Sequence, residues 1–422
     1  MGINSLALTK SLKKPILLLM KNINIFFTAF ILGVTLFFNI SCDRDSAGSI
    51  EREDLFSLEI GPLEDQIALY KLEGDRGIRR TGFSMRDGLL YIADGTNGKI
   101  VRYNSYGDLL LMIYNEETNP PPISLRTISE DEQVTRWAYT YPLEEPGWIT
   151  VDSRRHIYAE DRLPHEEQRY DAETRALLDG IILHFDQEGR FVNYLGREGI
   201  GGSPFPRIVG MSASARDELS VICRLQDGWE VFWYNSSGTL LYLVKISTGI
   251  IPGHPEWPQA LATIDTIMAS VDSRQLLVKV DYSRDTFDES TNIRTGNEPI
   301  NSIIWVLNVE DGAYLDAVEV PLYEITENGK PTDIKIFHIM LGVARNGKAL
   351  LYFPGENDGY ALLYINILSH EQRRGNIHFS NAELRYNDFF LSADGILCAM
   401  LADNYNVKMV WWRTDRLMVE GL

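Results

Sequence analysis

Cysteine is scarce, with three residues in 422, too few for a disulfide-stapled fold. Cys223 and Cys398 lie in apolar runs (LSVICRL and GILCAML) far apart in sequence, where buried free thiols are expected. Histidine is scarce too. Its seven copies show no His-x3-His or related spacing, so no zinc site and no other metal ligand set is assigned. Positive charge is in deficit, with 40 Lys and Arg against 59 Asp and Glu and a formal charge of −19. Nucleic acid and anionic bilayers are held by clustered Lys and Arg, so neither is expected as a charge-bound partner. No Gly-x-Ser-x-Gly elbow, Walker loop or HExxH occurs, and no cofactor is expected. Apolar residues are not in short supply: they make up 45% of the chain, enough for a large core.

The N-terminus carries the first positive signal. Lys10, Lys13, Lys14 and Lys21 precede the apolar run INIFFTAFILGVTLFFNI (Ile23–Ile40), which ends at Ser41-Cys42. A basic stretch, an apolar stretch and a small residue together make an export signal. The alternative is an uncleaved anchor, because the run is nearly long enough to span a bilayer. The cysteine at the junction makes the segment resemble a bacterial lipoprotein signal, in which Cys42 is acylated (palmitate among the chains) and becomes the new N-terminus. Phe38-Asn39-Ile40-Ser41 resembles the relaxed lipoboxes of spirochaetes, and Met20 is a second candidate start. The expected division is a signal peptide over 1–41, a flexible tether over 42–53 and a folded region over 54–422. Removing 1–41 removes four lysines and no acid, so lipid rather than charge would hold the chain to its membrane. The expected location is the cell envelope, periplasm-facing or surface-exposed.

Within the folded region one grammar recurs. In DGLLYIADGTNGKIVRYNSYGDLL (Asp87–Leu110) two apolar-alternating runs flank a tight polar turn and a second turn follows. Similar units begin near Trp148, Gly210, Ile267, Leu341 and Phe389. Tyr103/Gly107, Phe185/Gly189 and Tyr234/Gly238 each place an aromatic four residues before a turn glycine. Six units of four short strands predict an all-β, six-bladed β-propeller, with seven blades as the alternative. YIADGTNGKIVRYNSYGD resembles an NHL-type repeat, closely in the first unit and faintly elsewhere. With the lipobox, the whole chain is similar to NHL-like six-bladed propeller lipoproteins. In that family Asp94 and Asn97 are turn residues more often than ligands. Asp161, Asp281 and Asp403 share the place of Asp94 at the end of the second strand and read as turn caps, with Ca2+ binding as a minor alternative.

The last unit runs out of chain before a fourth strand, while Leu55–Ile60 alternates like a strand ahead of the first unit. That segment is expected to complete the last blade and close the ring. The short turns fall on one face and the insertions on the other: 115–147, 162–180, 196–207, 247–263, 282–301 and 323–335. Long loops gathered on one side mark a recognition face; neutral drift at tolerant loop tips is the competing explanation. Trp137, Tyr139, Tyr141 and Trp257 lie in these insertions and are the candidate contact residues, each of them also able to fold back over its blade. Six-bladed propellers acting as metal-dependent lactonases or lyases place acids at the axial mouth. Here those positions fall near Gly82, Gly147, Gly210, Thr266 and Leu341, with only Asp388 acidic. The favoured function is a non-catalytic, membrane-tethered, monomeric binding module for a protein, peptide or glycan. The alternative is a metal-dependent lactonase- or lyase-type hydrolase using the central channel.

Overall fold

A computed structural model describes residues 48–69, 81–125, 136–327, 330–355, 358–383 and 385–418. The signal peptide, Cys42 and the first part of the expected tether lie outside these residues.

Six sheets follow one another along the chain, each built on consecutive antiparallel strands in sequence order from the inside out, with N-terminal strands added at the outer edges of the last two. We letter the four strands of each blade A to D from the axis. The A strands are Thr81–Arg86, Pro146–Val151, Ile208–Ala213, Leu261–Ala269, Ile339–Ala344 and Tyr386–Leu391. Each lies beside the A strand of the next blade, and the last lies beside the first, so the ring closes. Together they enclose a central cavity of about 470 Å3. The chain is a six-bladed β-propeller.

The B and C strands explain why the sequence folds this way. Leu89–Asp94 and Lys99–Tyr103 are buried along most of their length because both faces of a blade pack against neighbouring blades. Such strands read as apolar runs and not as strict alternation. The predicted turn glycines Gly107, Gly189 and Gly238 all have positive φ, at 86°, 94° and 79°. At Gly107 a Cβ would also strike the Phe56 side chain at 2.8 Å, so a second constraint favours glycine there. Cys223 and Cys398 are buried free thiols.

Ring closure occurs as expected and extends further. Arg52–Ile60 pairs antiparallel with Asn406–Trp412 and supplies the D strand of blade 6. Phe56 on that strand packs on Tyr103 of blade 1, with ring centroids 5.4 Å apart. The described residues end in a short 3-10 helix, Thr414–Met418. Upstream, Gly48–Ile50 pairs in parallel with Gly375–Ile377 of blade 5. The expected tether is therefore part of the sheet from Gly48 onward, because Ile50 has an apolar site to fill beside Leu417 and Gly375.

The insertions are more ordered than loops. In blade 4 the B and C strands run on as Gln275–Phe287 and Arg294–Asn308, so the ladder occupies most of the expected 282–301 loop. Tyr282, Arg284 and Thr286 at alternating positions suit a two-stranded ribbon even though its polarity reads as loop. The 323–335 insertion is a hairpin of Tyr323–Glu327 and Lys330–Ile336, and 162–180 holds another, Arg169–Asp171 with Ala176–Leu178.

Candidate binding cleft on the loop face

The blade-4 ribbon, the 323–336 hairpin and the outer strands of blade 5 surround a cleft of about 860 Å3 on the insertion-bearing face. Trp257 stands at its border and is 46% exposed. The indole is placed by the Pro252–Pro258 segment, which is fixed to blade 4 from below. The Tyr282 hydroxyl donates to Pro252 O at 2.6 Å and accepts from Trp305 Nε1 at 2.9 Å.

A chain of hydrogen bonds then runs from the tryptophan into the cleft. The backbone N–H groups of Glu256 and Trp257 donate to His254 Nδ1, both at 3.1 Å. With Nδ1 accepting, His254 carries its proton on Nε2 and donates to Asn301 Oδ1 at 3.0 Å. Asn301 Nδ2 in turn donates to Glu319 Oε1 at 2.7 Å. His254 is buried, so each polar atom in this chain needs its partner, and the Trp257 backbone is held rigidly. The Arg284 guanidinium lies 5.7 Å from the Trp257 ring centre and donates twice to Glu298 Oε2, at 2.9 and 2.7 Å.

The opposite wall contains His338, which is buried against Tyr323. Its Nδ1 is 2.9 Å from Pro321 O, a pure acceptor, so the proton sits on Nδ1 and Nε2 bears the lone pair. Burial lowers its pKa to about 4, which keeps the imidazole neutral. Lys335 pairs with Glu324 at 2.9 Å. Arg374 and Asp333 complete the lining, and neither has an ion-pair partner among the described residues.

The other sequence-flagged aromatics lie elsewhere. Trp137, Tyr139 and Tyr141 sit on or beside Trp137–Thr140, a fifth strand of blade 1 parallel to Leu109–Tyr114. All three are half-buried in the seam between blades 1 and 2, where Tyr141 packs on Phe185 and Phe191. They do not meet Trp257.

The four strand-B aspartates divide. The Asp94 carboxylate accepts from the N–H groups of Thr96, Asn97 and Ala68, Asp161 from those of Glu144 and Glu145, and Asp403 from those of Tyr405 and Asn406. These three are turn and loop caps. Asp281 instead accepts from Ser302 and pairs with the fully buried Lys279.

The central cavity is lined by Ser84, Thr150, Ser212, Met268 and Leu341, with Asp388 on the A strand of blade 6 and Asp87 and Asp394 in the A–B turns of blades 1 and 6. Among the described residues no three His, Cys, Asp or Glu side chains gather as ligands. This lining does not fit a divalent cation that takes several oxygen ligands from the protein.

No family model matches the chain, and no curated protein matches it. Solved structures do resemble it. The polysaccharide lyase Uly1 is 8% identical, with 86% of this chain and 99% of that chain covered and a TM-score of 0.40. The Dos1 propeller is 10% identical over 86% of this chain and 95% of its own, at 0.34. A gluconolactonase from Xanthomonas campestris is 10% identical over 79% and 85%, at 0.36. Neighbours this distant, with such different activities, transfer no activity to this chain. Its six blades are read from its own strand order.

Sequence reasoning reached Trp257 and its face but not His254, Asn301, Glu319, Arg284 or His338. The segment PGHPEWP held a usable signal: two prolines flanking a His and a Trp three residues apart make a rigid loop with a polar staple.

Proposed function

We propose that this propeller is a lipid-anchored protein of the cell envelope whose loop face recognises a protein, peptide or glycan partner without catalysing a reaction. The observation that carries the reading is Trp257, a half-exposed aromatic held by a buried hydrogen-bond chain at the border of an 860 Å3 cleft. Large exposed aromatics on rigid supports are where binding energy concentrates. The anchor rests on the lysine-rich start, the apolar run and Cys42. The relaxed lipobox and the NHL-like first blade, with Asp94 and Asn97 in its turn, favour the spirochaete type of propeller lipoprotein.

The test is crosslinking on intact envelopes with the full-length chain as bait. Wild type should label with palmitate and capture a partner. Cys42→Ala should lose the label, and Trp257→Ala should lose the partner at an unchanged melting temperature. Equal capture by Trp257→Ala would remove the cleft as the recognition site.

A further inference from the structure

The chemistry of the cleft narrows the partner class, and this step rests on the recognition role proposed above. We infer that the cleft takes a neutral saccharide chain, with Trp257 as its stacking platform and the walls of the cleft as partners for its hydroxyls.

Charge argues first. Arg284 is matched by Glu298 and Lys335 by Glu324, Arg374 and Asp333 are opposite in sign, and Glu319, which accepts from Asn301, leaves a single excess negative charge. The cleft therefore presents many polar atoms with little net field, which selects neither a polycation nor a polyanion.

Hydrogen-bond polarity argues second. Open acceptors among the described residues include His338 Nε2, Glu298 Oε1, Glu319 Oε2, Glu324 Oε2 and the Asp333 carboxylate. Arg374 supplies an open donor. A hydroxyl gives and takes in the same group, so a row of them can satisfy unlike neighbours without bringing charge. The flat apolar face of a sugar ring would meet the indole, whose amphipathic character suits a surface that is half apolar and half wet.

The strand edges argue third, against an extended peptide. A peptide that binds by strand addition needs a free edge. Beside the cleft, the outer strand of blade 5 is already paired with Gly48–Ile50, and the open edges of the blade-4 ribbon and of the 323–336 hairpin each carry a proline, Pro299 and Pro331, with no N–H to give to a ladder. At the edge of blade 4 the carbonyls of Glu319 and Pro321 are already taken by Gln372 and His338.

The experiment is calorimetry and tryptophan fluorescence on the full chain, with cellotetraose, maltotetraose and tetra-N-acetylchitotetraose as probes and tetralysine and tetraglutamate as comparators. At least one tetrasaccharide should bind and quench fluorescence. Trp257→Ala should weaken it about tenfold or more, and Trp257→Phe should keep most of the affinity, as a stacking role requires. Glu319→Gln should weaken it several-fold while leaving the melting temperature in place. The inference falls if no tetrasaccharide binds, or if binding is the same in Trp257→Ala. Peptide binding that needs Trp257, without saccharide binding, would overturn the saccharide assignment and leave the recognition role standing. Envelope capture insensitive to Trp257 would remove that role as well.

Discussion

Glu383 ties Arg52, at the start of the N-terminal strand that closes blade 6, to Lys408 of the same blade. It accepts two hydrogen bonds from Arg52, at 2.8 and 3.1 Å, and one from Lys408 at 2.7 Å. The Arg52 guanidinium leads the causes that push its pKa down to about 2, from an ordinary 4.5. Because the folded value lies below the unfolded one, this stabilisation is complete above 4.5 and is lost as pH falls toward 2. Glu383→Gln should cost about 1 kcal/mol at neutral pH and almost nothing in strong acid, as measured by urea titration at a series of pH values. Asp161 has the opposite sign. Burial pushes its pKa up to about 7 from 3.8, so the folded form holds its proton longer than the unfolded chain does. That stabilisation is present below 3.8 and is lost as pH rises through 7. Asp161→Asn keeps an oxygen for the Glu144 and Glu145 N–H groups, so it should raise stability above neutrality and leave it nearly unchanged in mild acid. Both residues were visible in the sequence as ordinary acids. Their partners were not, because Arg52 and Glu383 lie 331 positions apart.

Strands, not loops, set the limits of what could be read. Arg52–Ile60 was legible because its alternation stood alone before the first blade while the last blade lacked a strand. Gly48–Ile50 was not: three residues give no periodicity, and parallel pairing leaves no turn signal. The blade-4 ribbon was hidden by its own exposure, since polar residues on both faces look like loop until a ladder is drawn through them. Deleting Arg52–Ile60 would bare the edge Asn406–Trp412 and strip Phe56 from Tyr103. The expected outcome is loss of the cooperative thermal transition together with light scattering from aggregates. Deleting only Gly48–Ile50 should lower the melting temperature and leave the transition cooperative. Identical curves for the two deletions would contradict this ranking.

The six-fold ring was the most legible feature of the whole molecule, because a recurring strand-turn grammar survives when individual motifs fade. The cleft was the least legible, because it is assembled from residues 254 to 376, drawn from two blades and three insertions. The two ends of the described chain converge: Gly375 of blade 5 is approached by Leu417, by Ile50 and by the carbonyl of Gly48. A circular permutant that joins these ends with a short Gly/Ser linker and opens at the exposed 288–292 turn should fold with the same circular dichroism and nearly the same melting temperature. Failure to fold would mean that the free ends are required and not merely neighbours. Under the proposed anchor, the same convergence would limit the distance from the membrane. Cys42 precedes Gly48 by six residues, a leash of ~20 Å at full stretch. With Cys42 acylated as proposed, the blade-5 rim would stay within that reach of the headgroups, and the strand Gln372–His378 that pairs with Gly48–Ile50 forms one wall of the cleft. Anything captured there would be drawn down to the bilayer surface, and not held out in the surrounding fluid.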